Sequence, residues 1–179
     1  MQPISYNFKG LLSRRFFANF LPVPASCRFQ LGQALPDFKL TDTTGRSRQL
    51  SGYLGSPVVL TFTRIFTERQ YCPFCYPHIL AMNAAYKQFL GLGACVLLVT
   101  STDEAQSKVV QQDLGLKMPL LIDPTCAVFR TYGTGQALGA PLSAQFVLDA
   151  KGKLRFQHLF SFVSHNASPE RLLWAVRNL

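Results

Sequence analysis

Acidic residues are scarce in this sequence: nine Asp and Glu stand against eighteen Lys and Arg, a formal charge of +9. Such an excess raises the question of a polyanionic partner. The cations are not clustered to meet one. Lys9, Arg14, Arg15 and Arg28 precede the first acid, Asp37, and the remaining charges are spread singly along the chain. Without a basic block or a binding motif, no nucleic-acid partner is expected. Long apolar runs are lacking as well, and none approaches the ~18 residues of a transmembrane helix. Internal repeats and low-complexity segments are missing too. Cysteine is sparse and odd in number: Cys27, Cys72, Cys75, Cys95 and Cys126 are too few to staple a secreted scaffold of 179 residues. A reducing, cytoplasmic setting is the expectation.

Ser13-Arg14-Arg15-Phe16-Phe17 has the look of a twin-arginine export signal. Such a signal needs an apolar stretch of about 7 to 15 residues next, and Asn19, Pro22 and Pro24 interrupt it. Residues 6–20 read better as a short amphipathic helix, with Leu11, Leu12, Phe16, Phe17 and Phe20 on one face and a stop at Pro22. That helix either packs on the domain or makes a peripheral contact with a partner or membrane surface. Two parts follow: an N-terminal extension over 1–30, and one globular domain over 31–179.

The domain is rich in core material, with 48% hydrophobic residues and 15 Phe. Its pattern alternates strands and helices, which is the mark of an α/β layered fold. Strands are expected at 57–63, 94–100, 119–122, 145–149 and 154–160. Helices are expected over about 73–91, 103–114 and 125–132 and from about Ser168 onward. The Ala150-Lys151-Gly152 turn is too short for a parallel crossover, so the last two strands must be antiparallel. A Cys-X-X-Cys at the start of the first long helix makes this the order of a thioredoxin-like fold, a central mixed sheet with helices on both faces.

That motif is Tyr71-Cys72-Pro73-Phe74-Cys75. A reactive cysteine needs a pKa below the free value of about 8.5. Pro73 is a ready first helical residue, which would place Cys72 at a helix N-terminus among unpaired N–H groups. Pro77 works against this by removing another donor and moving the helix start downstream. Cys72 is the expected nucleophile and Cys75 the resolving thiol one turn later. Arg64, Thr67 and Arg69, on the preceding loop, are candidate supporting residues. Zinc on Cys72, Cys75 and His78 is the chemical rival. The chain offers no second ligand pair, so no metal or other cofactor is expected, and His78 reads as a surface or capping residue. Cys95, within an apolar run, reads as a small buried hydrophobe. A redox sensor or binding protein without catalysis is the alternative to an enzyme.

Four segments carry a family likeness: Leu35-Pro36-Asp37-Phe38, Val58 to Arg64, Tyr71 to Cys75, and Phe146-Val147-Leu148-Asp149 with Lys151-Gly152-Lys153. Through them the chain from Leu31 onward resembles the peroxiredoxin-like proteins of the alkyl hydroperoxide reductase/thiol-specific antioxidant (AhpC/TSA) group. The resemblance implies a thioredoxin fold and thiol-dependent reduction of peroxides or disulfides, with an external thiol reductant such as a thioredoxin or glutathione. The family's Pro-x-x-x-Thr-x-x-Cys loop is not preserved. Aligning Thr67 with its threonine puts Gln70 at the cysteine and Thr63 at the proline, whereas aligning Cys72 puts Arg69 at the threonine. Ser143 stands where the family carries an arginine, and Pro141, two residues earlier, is either a cis proline beside the cysteines or an ordinary turn residue.

Overall fold

A computed structural model describes residues 13–26 and 29–179. Residues 6–12 of the expected first helix, including Leu11 and Leu12, lie outside the described residues, as does Cys27. The sheet strands are β1 (Lys39–Asp42), β2 (Ser47–Gln49), β3 (Val58–Phe62), β6 (Cys95–Thr100), β7 (Leu120–Ile122), β10 (Ala144–Leu148) and β11 (Leu154–Leu159). Two small hairpins, β4 (Ile65–Thr67) with β5 (Gln70–Tyr71) and β8 (Gln136–Ala137) with β9 (Ala140–Pro141), stand apart from it. The helices are α1 (Arg14–Ala18), α2 (Cys75–Gly91), α3 (Glu104–Asp113), α4 (Ala127–Thr131) and α5 (Pro169–Arg177).

The seven strands lie in the order β11-β10-β3-β6-β7-β1-β2. β3, β6 and β7 are parallel, while β10 and β11 are antiparallel to each other and β10 to β3, as the short turn at Gly152 requires. Right-handed crossovers follow from the twist of the strands. The order β3-β6-β7 therefore places α2 and α3 on one face, and the return from β7 to β10 places α4 on the other. The strand period of two divides the core accordingly. Val59, Val96, Leu98 and Val147 pack with Ile79, Met82 and Phe89 of α2, Val110 of α3 and Leu172 and Val176 of α5. Leu60, Phe62, Leu97 and Phe146 pack with Phe129 of α4 and Tyr132. Each such fully buried side chain contributes about 1.5–3 kcal/mol of transfer free energy.

Helix ends follow their local chemistry. Asp103 and Ser168 cap α3 and α5 by accepting from Gln106 N and Arg171 N. Gly93, just past α2, is left-handed at φ 71°, a conformation that costs glycine nothing. The start of α2 differs from expectation: Pro73 is not its first residue. The Cys72 carbonyl accepts from Cys75 N and Tyr76 N at 3.0 Å each. The next bond in the series would need an N–H on Pro77, which has none, so regular helix begins at Cys75.

Among the described residues the first helix spans Arg14–Ala18, capped by Ser13 and ended at Asn19 rather than Pro22. Its segment packs on the domain. Val23 exchanges backbone bonds of 2.8 and 2.9 Å with Gln136, and Leu138 N and Gly139 N donate to the carbonyls of Phe20 and Asn19. Gly139 is required there, since a Cβ would run into the Phe16 ring. Phe17 and Leu21 remain exposed. Among the described residues no peptide bond is cis, so Pro141 is trans, buried within β9.

Candidate active site around Cys72 and Cys75

β3 points at the N-terminus of α2, but the chain makes the β4–β5 excursion between them. It closes on itself, because Cys72 N donates to the carbonyl of Arg64 at 3.3 Å. Arg64 and Cys72 thus become neighbours although eight residues apart in sequence. Both cysteines are free and buried, Cys72 at 2% exposure and Cys75 at 1%.

The two thiols are driven apart in acidity. The Cys72 pKa falls well below that of a free thiol, chiefly because the Cys75 thiol donates a hydrogen bond to its sulfur. Burial opposes this, while the Phe74 and Cys75 N–H groups and the Arg64 charge assist. The Cys75 pKa rises, first because its proton is held by Cys72 and then because of burial. One sulfur is prepared to carry charge and the other to keep its proton.

Arg64 serves both. Its guanidinium reaches the Cys72 sulfur, and its backbone N–H bonds Cys75. The side chain is 7% exposed, donates to the carbonyl of Ala137, and lies 4.7 Å above the Phe66 ring centroid. The Arg64 Nε is buried with no protein partner. Thr67 and Arg69, the other candidates from the loop, belong to the hairpin tip. Thr67 Oγ1 accepts from Arg69 N at 3.3 Å, and the Arg69 side chain is exposed.

Sequence reasoning missed four contributors. Ser143, buried just ahead of β10, hydrogen-bonds Cys75 and donates to the His165 carbonyl at 3.1 Å. Gln145, two residues on along the same face, accepts from Ala167 N and donates to Asn166 Oδ1, both at 2.9 Å. Asn166 in turn donates to the Phe74 carbonyl at 3.0 Å, and the His165 ring stacks on Phe74 at 3.6 Å. These contacts fix the Pro73-Phe74 turn from residues more than ninety positions away. The sequence held one signal: polar side chains at 143 and 145, just before and within an otherwise apolar strand.

His78 is a correction to expectation. It is buried rather than on the surface, and its Nε2 donates to the Ala167 carbonyl at 2.9 Å. Burial lowers its pKa to about 4 despite that bond. Among the described residues no three His, Cys, Asp or Glu are grouped to hold a metal ion. Cys95 is half-buried at the start of β6 rather than fully enclosed.

The model of the AhpC/TSA family matches residues 31–157, most of the chain. The chain belongs to the AhpC/TSA family. This AhpC/TSA protein is 30% identical over 129 residues to the thiol-disulfide oxidoreductase ResA of Bacillus anthracis, covering 71% of this chain and 68% of ResA. It is also 30% identical over 127 residues to the chloroplastic peroxiredoxin Q of Oryza sativa subsp. japonica, covering 70% and 57%. Solved structures share the fold: the peroxidoxin BcpB of Mycobacterium tuberculosis superposes with a TM-score of 0.71 at 23% identity, covering 85% of this chain and 99% of that one. The 2-Cys peroxiredoxin of Plasmodium vivax gives 0.72 at 17%, covering 83% and 81%. The AhpC/TSA protein is thus a thiol-dependent oxidoreductase on a thioredoxin-like fold.

Proposed function

We propose that Cys72 is the attacking thiolate and Cys75 the resolving thiol in a cycle that reduces disulfide substrates. The opposite acid shifts of the two sulfurs carry this reading. The Cys72 thiolate attacks one sulfur of the substrate disulfide, and the other leaves as a thiolate that takes up a proton. Cys75 then loses its proton and attacks Cys72. The Cys72–Cys75 disulfide forms as the second substrate thiol leaves, so two electrons pass from protein to substrate. An external thiol, of the thioredoxin or glutathione class, returns them. Arg64 supports the thiolate, and Thr67 and Arg69 take no part in either step.

Peroxide reduction is the second reading, favoured by the unpartnered Arg64 Nε beside Cys72, a donor available to a peroxide oxygen. Attack on the peroxide would give a Cys72 sulfenic acid and an alcohol or water, and Cys75 would then displace water from it. The protein is proposed to work in the cytoplasm, where a reducing thiol pool restores the dithiol.

Stopped-flow oxidation of the reduced protein separates the two. A peptide disulfide is expected to react with Cys72 far faster than with free cysteine, through a mixed disulfide that mass mapping places on Cys72 in Cys75→Ser. Hydrogen peroxide reacting far faster than the disulfide would move the assignment to the second reading, and free-cysteine rates with both would overturn both.

A further inference from the structure

The N-terminal segment reaches the redox centre by two routes that meet at one side chain. The first runs through Arg15 on α1. Its guanidinium donates to Ser101 Oγ at 3.0 Å, just beyond the end of β6, and to the carbonyl of Phe66 in β4. The Phe66 ring is the surface on which the Arg64 guanidinium rests, 4.7 Å from its centroid. The second route runs through the β8–β9 hairpin, which residues 19–23 hold by the Val23–Gln136 pair and by the bonds from Leu138 N and Gly139 N. Gln136 Nε2 adds bonds to the Ala18 and Leu21 carbonyls at 3.2 Å each. That hairpin supplies the Ala137 carbonyl to which Arg64 donates.

Both contacts that aim the Arg64 side chain are therefore held in place by residues 13–26. A long guanidinium side chain keeps one geometry only where its planar head is stacked and hydrogen-bonded. Its effect on a thiolate falls as the charge moves away. We propose that Arg15 is a positioning residue for the redox centre: through Phe66 it keeps Arg64 against Cys72, and the N-terminal segment is a working part of the site. This rests on the reading of Cys72 as the attacking thiolate. The groups facing Cys72 in that geometry are Arg64 and Cys75, and Arg15 acts only through the first.

The test is the pH profile of Cys72 alkylation by iodoacetamide in the reduced full-length protein, with Cys72 identified by mass mapping. Arg15→Met keeps the side-chain stem and removes every donor. It is expected to raise the midpoint by about one pH unit and to slow alkylation by about tenfold at pH values well below the wild-type midpoint, with the rate on the alkaline plateau unchanged. Arg15→Lys restores part of the shift. Arg64→Met gives the same shift, and the double variant moves no further than Arg64→Met alone, because the two act in series. An unmoved midpoint in folded Arg15→Met, or additive shifts in the double variant, overturns the proposal. If Arg15→Met does not fold, Phe66→Leu decides by the same criterion, since it removes the ring beneath Arg64 and leaves Arg15 intact. A wild-type midpoint near that of free cysteine overturns the underlying reading of Cys72 and this proposal with it, whereas a low wild-type midpoint unaltered by the variants overturns this proposal alone.

Discussion

Cys72 and Cys126 invite comparison. Each sits just ahead of a helix, each is almost fully enclosed, and each has an arginine whose charge acts on it, Arg64 for Cys72 and Arg15 for Cys126. Their thiols are nevertheless driven in opposite directions. At Cys126 burial dominates and raises the pKa, and the Asp123 carboxylate adds to it. The opposing contributions are the Arg15 charge, the Asn19 amide at 3.6 Å from the sulfur, and Arg130. At Cys72 a second thiol and two backbone N–H groups point at the sulfur, and together they outweigh burial. An arginine and a helix start are therefore not enough to lower a thiol pKa in this fold; donors aimed at the sulfur decide. Asp123 shows why α4 cannot supply them: its carboxylate already takes the N–H groups of Ala127, Val128 and Phe129.

The largest effect expected from this contrast is on turnover. Cys72→Ser is expected to lower disulfide reduction by more than about a thousandfold, because a hydroxyl does not ionise in this pH range. Cys126→Ser should leave it within about twofold. A steady-state assay checks both, and equal losses would dissolve the distinction between the two sites.

Next in size is the removal of the donor thiol. Cys75→Ala should raise the midpoint of Cys72 alkylation by about two pH units, toward the free value near 8.5. Because the native pKa is depressed, wild-type Cys72 is a thiolate from below neutrality upward, whereas Cys126 alkylates only in the alkaline range. Iodoacetamide labelling from pH 5 to 10 with mass mapping reads both cysteines at once. A Cys72 midpoint unmoved in Cys75→Ala would assign the activation to the backbone and Arg64 instead.

The smallest effect concerns stability, and it belongs to the dithiol side alone, where His78 lies on the buried face of α2. Its folded pKa of about 4 lies below the usual 6.5, so between those values the unfolded chain binds the proton and the folded protein does not. Stability is therefore complete above about pH 6.5, falls as the pH drops through the window, and flattens below about 4, with a total of at most about 3 kcal/mol. His78→Gln, which keeps a donor for the Ala167 carbonyl, should be less stable at pH 7 and should lose most of this acid slope. Urea unfolding at pH 7, 5.5 and 4 measures it, and an equal slope in wild type and variant would place the acid sensitivity elsewhere.

Strand and helix order from β3 to α5 was legible because each element announces itself locally. Pro57–Thr63 and Ala94–Thr100 are continuous β-branched and apolar runs, and Asp103 and Ser168 are side chains suited to capping. Even the late start of α2 follows from Pro77 lacking an N–H. The short β1–β2 pair and the two outlying hairpins were not legible. Two- and three-residue strands have no period to detect, and they exist because of what they pack against.

The sequence by itself determined the dithiol and its carrier: two cysteines three residues apart, at the point where a buried strand passes into a long amphipathic helix. Spacing, proline chemistry and apolar periodicity are local properties, written in consecutive residues. Only the tertiary structure decided which groups act on that dithiol. Gln145 arrives from a strand antiparallel to β3 and Ser143 from the residue just before that strand, His165 and Asn166 from the segment after β11, and Arg15 from a helix before the first strand. Hydrogen bonds and charges act over a few ångströms of space, and chain folding, not sequence distance, sets which atoms lie that close.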